Sequence, residues 1–340
     1  MNQTCDSLPE VIKRLKVEAV LEGELFTSPP LMKVVVAKLK GTKQDIPRAF
    51  KLTRDLVSNA DLRHLRRVRD SENGQIECII RKLDELEDQA KIVKDLEDRF
   101  SEEDLFEGYR SQLVPSKAPR TEHQWVACSQ IWPCKYAKSN YLNQCIEGTV
   151  FEPAERLVLK TITGKLIEYL AGKDSHHSGS VIFRFDKIYG VGLVNEKVIR
   201  SNFTKHAPIV AIDAVAFNAG AGHWNHSLEE DATELHRSIQ QQLDEHLGEL
   251  GDHKMDPKFL PYLCTNYDVL VTEEPCMMCS MGLVQSRIRR LFYFDLKSLK
   301  IDTNLKSFCY DDGAIERFLV HRDKNLNHRF EAWRIKFSDR

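Results

Sequence analysis

Cys276 and Cys279 lie three residues apart in the segment TEEPCMMCSMGLVQSRIRRLFYF, residues 272–294. That spacing places both thiols on one side of a helix, and Pro275 suits the first helical position. Thiols at the positive end of a helix dipole ionise readily, and the thiolate is the form that binds a metal. The pair alone is equally what a redox couple, or two unrelated thiols in a reducing compartment, would look like. A second candidate ligand is His206, at the entrance of the apolar stretch TKHAPIVAIDAVAFNAG, residues 204–220. By itself it reads as a polar residue at a helix start. Taken with P-C-x-x-C one strand further on, two helix starts supply one imidazole and two thiolates, a donor set suited to zinc. The fourth position is left open between water, another cysteine such as Cys264, and a carboxylate from the tail.

A zinc-bound water does chemistry only when a neighbouring group moves its protons. The residue two places after His206 is Pro208, which has neither an ionisable group nor an N–H. Asp213 follows His206 by seven residues, about 10 Å along a helix axis, too far to reach the same water. Glu273 and Glu274 precede Cys276 on the other motif. Whether either could serve is left open by the spacing, and no catalytic residue is assigned.

The elements that must hold these groups read as alternating strands and helices. EPAERLVLKTITGKLIEYLA is a helix, SVIFRFD and YGVGLV are strands, the His206 stretch is a helix, and YDVLVT and RRLFYF are strands flanking the cysteine helix. Such alternation predicts a sheet covered on both faces. Residues 221–261 form a polar insert, expected as a solvated loop with one helix stopped by Gly251. Its histidines (His223, His226, His236, His246 and His253) are too irregularly spaced to suggest a second metal site. The sequence after RRLFYF is expected as a polar tail ending in LNHRFEAWRIKF. Earlier in the chain, MKVVVAKL is a strand, DIPRAFKLTRDLV a helix with Asp45 as N-cap, and DLRHLRRVRDSENGQIECIIRKL two strands around SENG. DELEDQAKIVKDLEDRF is an acidic helix. This order predicts a small α+β, ferredoxin-like domain over 1–110. A packed connector over 111–150, punctuated by Pro115, Pro119 and Pro133, then leads to the domain over 151–340.

The chain of 340 residues carries a net charge of −2, so any attraction to nucleic acid must be local. No apolar run is long enough to span a membrane, and the N-terminus lacks a signal-peptide pattern. Nine scattered cysteines argue against a disulfide framework, so the cytoplasm or nucleus is expected.

With these residues in view, the sequence resembles the zinc-dependent cytidine and tRNA-adenosine deaminase superfamily, whose signature is H-x-E followed by P-C-x-x-C. The likeness rests on PCMMC with SRIRRLFY, on LPYLCTNYDVLVTEEPCMMC, on the long preceding insert, and on the late LNHRF. Within that superfamily it is similar to the non-catalytic branch of the eukaryotic heterodimeric tRNA wobble adenosine deaminases, because His206-Ala207-Pro208 stands where H-x-E is expected. The resemblance is strongest over roughly 200–340. It implies a three-layer α/β/α deaminase-like domain and Zn2+ held by His206, Cys276 and Cys279. It implies also a catalytic partner with an intact H-x-E, and tRNA as the shared substrate. Dimers of the superfamily pack through helices beside the zinc motifs, which would expose Ala211, Ala214 and Ala216 and MGLVQSRI to that partner. It further implies that the N-terminal domain contacts tRNA. Arg63, Arg66, Arg67 and Arg69, expected in one strand with Arg66 facing oppositely, are candidates; Arg287, Arg289 and Arg290 form a second cluster, substrate-facing or structural. Two other readings remain: an independent deaminase with an unrecognised base, and a zinc-containing RNA-binding protein without a deaminase partner.

Overall fold

The computed structural model describes residues 8–41, 43–53, 62–70, 75–83, 94, 97–98, 106–173, 175–226, 230–248, 263–299, 305, 307–309 and 313–337. They form two compact units, one of Leu21–Asn143 and one of Met1–Val20 with Gln144–Arg340. These bounds differ from those expected at 110 and 150. Most of the expected connector belongs to the smaller unit, and the first twenty residues belong to the larger.

Helix α1 (Leu8–Lys13) and strand β1 (Leu15–Ala19) open the larger unit. The chain then builds the smaller unit from β2 (Leu31–Leu39), α2 (Ile46–Thr53), β3 (Val68–Asp70), β4 (Ile76–Lys82) and β5 (Phe106–Pro115), followed by α3 (Glu122–Ile131). The four strands pair antiparallel in the order β3-β4-β2-β5, the order of a ferredoxin-like sheet. The acidic helix expected over 84–100 lies almost wholly outside the described residues, as does the SENG turn. Period-two alternation divides the core cleanly. Val35, Ala37, Leu39, Ile76, Cys78 and Ile80 pack on Ala49 of α2. Val34, Val36, Ile79 and Val114 pack on Leu62, Leu65, Cys128 and Trp132. Strand β5 therefore replaces the start of the expected connector.

Helix α4 (Asn140–Glu147) leads back into the larger unit. There follow α5 (Pro153–Ala171), β6 (His177–Arg184), β7 (Lys187–Asn195), α6 (Glu196–Ser201), α7 (Ala207–Asn218), α8 (Glu230–Leu247), β8 (Asp268–Val271), α9 (Met277–Gln285), β9 (Arg290–Phe294) and β10 (Glu331–Phe337). The sheet order is β1-β10-β9-β8-β6-β7, with β8, β9 and β10 parallel to one another and the remaining pairs antiparallel. Helices α5 and α8 cover one face and α7 and α9 the other, giving the expected three-layer α/β/α domain.

Four expectations change here. EAWRIKF is no tail: as β10 it pairs with both β9 and β1, and Trp333 is fully buried. The insert helix ends at Leu247, where Gly248 takes a φ of +61°, rather than at Gly251. It is also no solvated loop, because Leu235, Ile239 and Leu243 form a buried stripe at four-residue spacing. Lastly, Ala211, Ala214 and Ala216 are not open to a partner; all three are buried within the unit. At Gly192 of β7 an added Cβ would stand 2.3 Å from the Ala207 carbonyl oxygen and 2.6 Å from the Ala211 nitrogen. Glycine there lets the first turn of α7 lie directly on the sheet, which fixes where His206 begins that helix.

Candidate metal centre

Two helix starts and one loop converge on a single point. His206 is the N-cap of α7, with Ala207 and Pro208 as its first two residues. Proline is tolerated in the first turn because its missing N–H would have no intrahelical partner. Cys276 is the N-cap of α9 and Cys279 its third residue, so Pro275 precedes the cap rather than occupying the first helical position. A third thiol arrives from the chain between β9 and β10: Cys309. Its sulfur lies 3.5 Å from His206 Nδ1, with Cys276 Sγ at 3.5 Å and Cys279 Sγ at 3.4 Å from the same nitrogen. All four donor atoms fall within 4.8 Å of one another, and all four residues are buried.

These separations are those of a metal tetrahedron. With Zn–S about 2.3 Å and Zn–N about 2.0–2.1 Å, tetrahedral geometry puts a ligand nitrogen and sulfur about 3.5 Å apart. The hydrogen bonds here favour one thiolate, that of Cys276. Hydrogen bonds from Cys279 and Cys309 hold the Cys276 thiol far below its ordinary range. The bond with Cys276 raises both other thiols and the His206 imidazole. The donor set thus fits a zinc ion held by His206, Cys276, Cys279 and Cys309, a closed set of four protein ligands of the kind found at structural sites. Cys264, considered above for the fourth position, sits instead in the sheet core beside Tyr267 and Ile288, where burial pushes its thiol up to about 12. Cys309 escapes sequence reading because it lies on irregular backbone; its one signal is the apolar pair Phe308-Cys309 in a polar stretch.

The three carboxylates considered above, Glu273, Glu274 and Asp213, are each engaged. Glu273, 2% exposed, accepts the Ser178 hydroxyl at 2.8 Å, the Phe308 amide at 2.7 Å and the Cys309 amide at 3.5 Å. Glu274 accepts the amides of Ile315 and Glu316 at 3.0 and 2.8 Å. Gly313, at φ +68°, leaves room for that carboxylate, since a Cβ there would stand 2.3 Å from it. Asp213 accepts the amides of His223 and Trp224 and pairs with His226 Nε2 at 2.9 Å. It caps the loop after α7 and offers no base to the centre. His246 lies against the Thr161 hydroxyl at 3.3 Å. Among the described residues the insert's histidines join no second metal group, and His253 lies outside them.

The arginine candidates separate by their partners. Arg69 binds buried Glu77 at 2.7 Å, donates to the Ile131 carbonyl, and covers the Trp132 ring at 4.1 Å. Arg289 and Arg290 both grip buried Asp268, and Arg290 also reaches Glu155. All three are held in ion pairs with buried carboxylates. Strand β3 spans only 68–70, so Arg63, Arg66 and Arg67 lie outside it and the expected alternation fails. Arg63 and Arg66 are exposed, and Arg67 stands over the exposed Phe50 ring at 5.3 Å. Arg287 is exposed just past α9, at φ +58°.

Fold and centre together define a three-layer α/β/α domain with a candidate four-ligand metal site and, among the described residues, no carboxylate of the two motifs left for proton transfer. No protein-family model matches the sequence. The chain is 30% identical over 278 residues to the tRNA-specific adenosine deaminase subunit tad3 of Schizosaccharomyces pombe, covering 79% of this chain and 72% of the relative. It is 28% identical over 230 residues to the probable inactive tRNA-specific adenosine deaminase-like protein 3 of Rattus norvegicus, and 28% over 227 residues to its human counterpart. Those two matches cover 65% of this chain, and the chain spans only 60% of these mammalian relatives' length. The chain belongs to the family of tRNA-specific adenosine deaminase subunit 3 proteins.

Proposed function

We propose that this chain is the non-catalytic subunit of a heterodimeric tRNA adenosine deaminase, acting in the cytoplasm and nucleus. Its zinc is structural, and it supports a catalytic homologue with an intact H-x-E that converts wobble adenosine to inosine. One observation carries the reading: Cys309 completes the ligand set of a centre whose proton-transfer position is Pro208. A bound zinc would supply a cross-link between α7, α9 and the segment before β10, since the fourth ligand occupies the place a reactive water needs. His206 and the three cysteines hold the ion; Pro208 moves no proton. The same closure counts against an independent deaminase with another base, because Asp213, Glu273 and Glu274 are each committed to backbone amides.

The exposed Met277 and Met278, at the start of α9, are the side chains we assign to the partner. We assign tRNA contact to Arg63, Arg66 and Arg67 on the smaller unit, with Arg287 as a separate candidate. The test is purification of the chain alone. It is expected to carry about one zinc per chain and to form no inosine in tRNA, with activity appearing on adding a homologue carrying H-x-E. Turnover by the homogeneous chain alone would overturn the proposal.

A further inference from the structure

Three of the four ligands stand on regular elements: His206 and Cys276 are helix N-caps, and Cys279 lies in the first turn of α9. Cys309 has no such support. Its place is set by what holds the backbone on either side of it, and that support comes from the neighbour of the cysteine motif itself. One Glu273 oxygen accepts the Ser178 hydroxyl of β6 at 2.8 Å, anchoring the carboxylate to the sheet. The other accepts the Phe308 amide at 2.7 Å and the Cys309 amide at 3.5 Å. The Phe308 ring packs beside Val194, Ala207 and Val210, under the turn that carries His206. Glu274 then pins the amides of residues 315 and 316, so the two adjacent carboxylates fasten this segment at two points.

We propose that Glu273 is a positioning residue that installs Cys309 as the fourth metal ligand, and that withdrawing its carboxylate converts the closed centre into an open one with two thiolates and a solvent position. A buried carboxylate accepting three hydrogen bonds is a rigid support, and ligand orientation depends on such outer partners. An Asp at this position keeps the charge but retracts the oxygens by one methylene, beyond reach of the Phe308 amide. A Gln keeps one acceptor for that amide and can donate to Ser178 instead.

The inference rests on Cys309 binding the metal. Cobalt(II) loaded into the full chain tests both points separately, because sulfur-to-cobalt charge transfer reports the number of thiolates on the ion. Cys309→Ala is expected to lower that absorption per metal to about two-thirds of the unaltered chain, three thiolates becoming two. No change on Cys309→Ala would remove the ligand assignment itself, whereas the inosine assay above bears on the non-catalytic reading. Glu273→Asp and Glu273→Ala are expected to match Cys309→Ala, and Glu273→Gln to retain the full absorption. If Glu273→Ala does not fold, the comparison of Asp with Gln decides. Full three-thiolate absorption in Glu273→Asp, or the same loss in Glu273→Gln, would overturn the proposal; a lowered melting temperature alone would mark a merely structural carboxylate.

Discussion

At His206, two residue-level facts act together. Pro208 stands two residues after it, and Cys309 Sγ lies 3.5 Å from its Nδ1, where under the proposed reading it takes the solvent position. General acid–base catalysis commonly contributes about 10²–10⁴ in rate, but only when a reactive water is present for the carboxylate to serve. Pro208→Glu alone is therefore expected to keep its zinc and form no inosine above background in a tRNA assay. Detectable turnover would mean that Cys309 leaves the metal. Cys309→Ala is expected to speed zinc loss to a chelator by about 100-fold or more, judged against the 10–100-fold that outer-shell changes alone produce. Three of the candidate ligands could be read from the sequence because Cys276 and Cys279 stand at a short, recognisable spacing and His206 opens an apolar helix. Cys309 could not, because it lies 103 residues from His206 on backbone without periodicity, oriented by hydrogen bonds to Glu273 that no local pattern encodes.

Among the elements, the apolar strands and the helices flanking the metal were accessible from periodicity, whereas polar ones were misjudged. FEGYRSQLVP and EAWRIKF read as connector and tail because charged and polar residues interrupt their apolar positions, yet alternate positions face a core. Helix α8 misleads in the same way: its face toward solvent is strongly polar, and only the four-residue spacing of Leu235, Ile239 and Leu243 betrays burial. Its packing on α5 and β7 makes the insert part of the domain. Leu243→Ala is accordingly expected to cost about 2–5 kcal/mol in chemical denaturation. A loss below about 0.5 kcal/mol, the ordinary range for surface substitutions, would return the insert to the role of a solvated loop.

At the scale of the whole molecule, a net charge of −2 leaves any RNA affinity to local surfaces, and the ion pairs show which arginines already have partners. In the smaller unit, burial would raise Glu77, but hydrogen bonds from Arg110 and Arg69 prevail and hold its carboxyl below the usual range. A carboxylate depressed in the folded state adds stability above its unfolded value of 4.5, and that contribution is lost as pH falls through the folded value. Unfolding measured from pH 7 downward should show stability falling below that value, and Glu77→Gln should remove this part of the decline while costing about 2 kcal/mol at neutral pH. Arg69 is spent on this pair, so Arg69→Ala is expected to destabilise the unit. Arg63 and Arg66 are exposed and their removal should leave stability unchanged. If they meet phosphate, the double change to Ala lowers the slope of log affinity against log salt by about 1 per lost contact. Titration of tRNA binding across salt concentrations measures this directly. An unchanged slope at unchanged stability would remove Arg63 and Arg66 from the RNA surface and leave Arg67 beside Phe50, with Arg287 on the larger unit, as the residues to test.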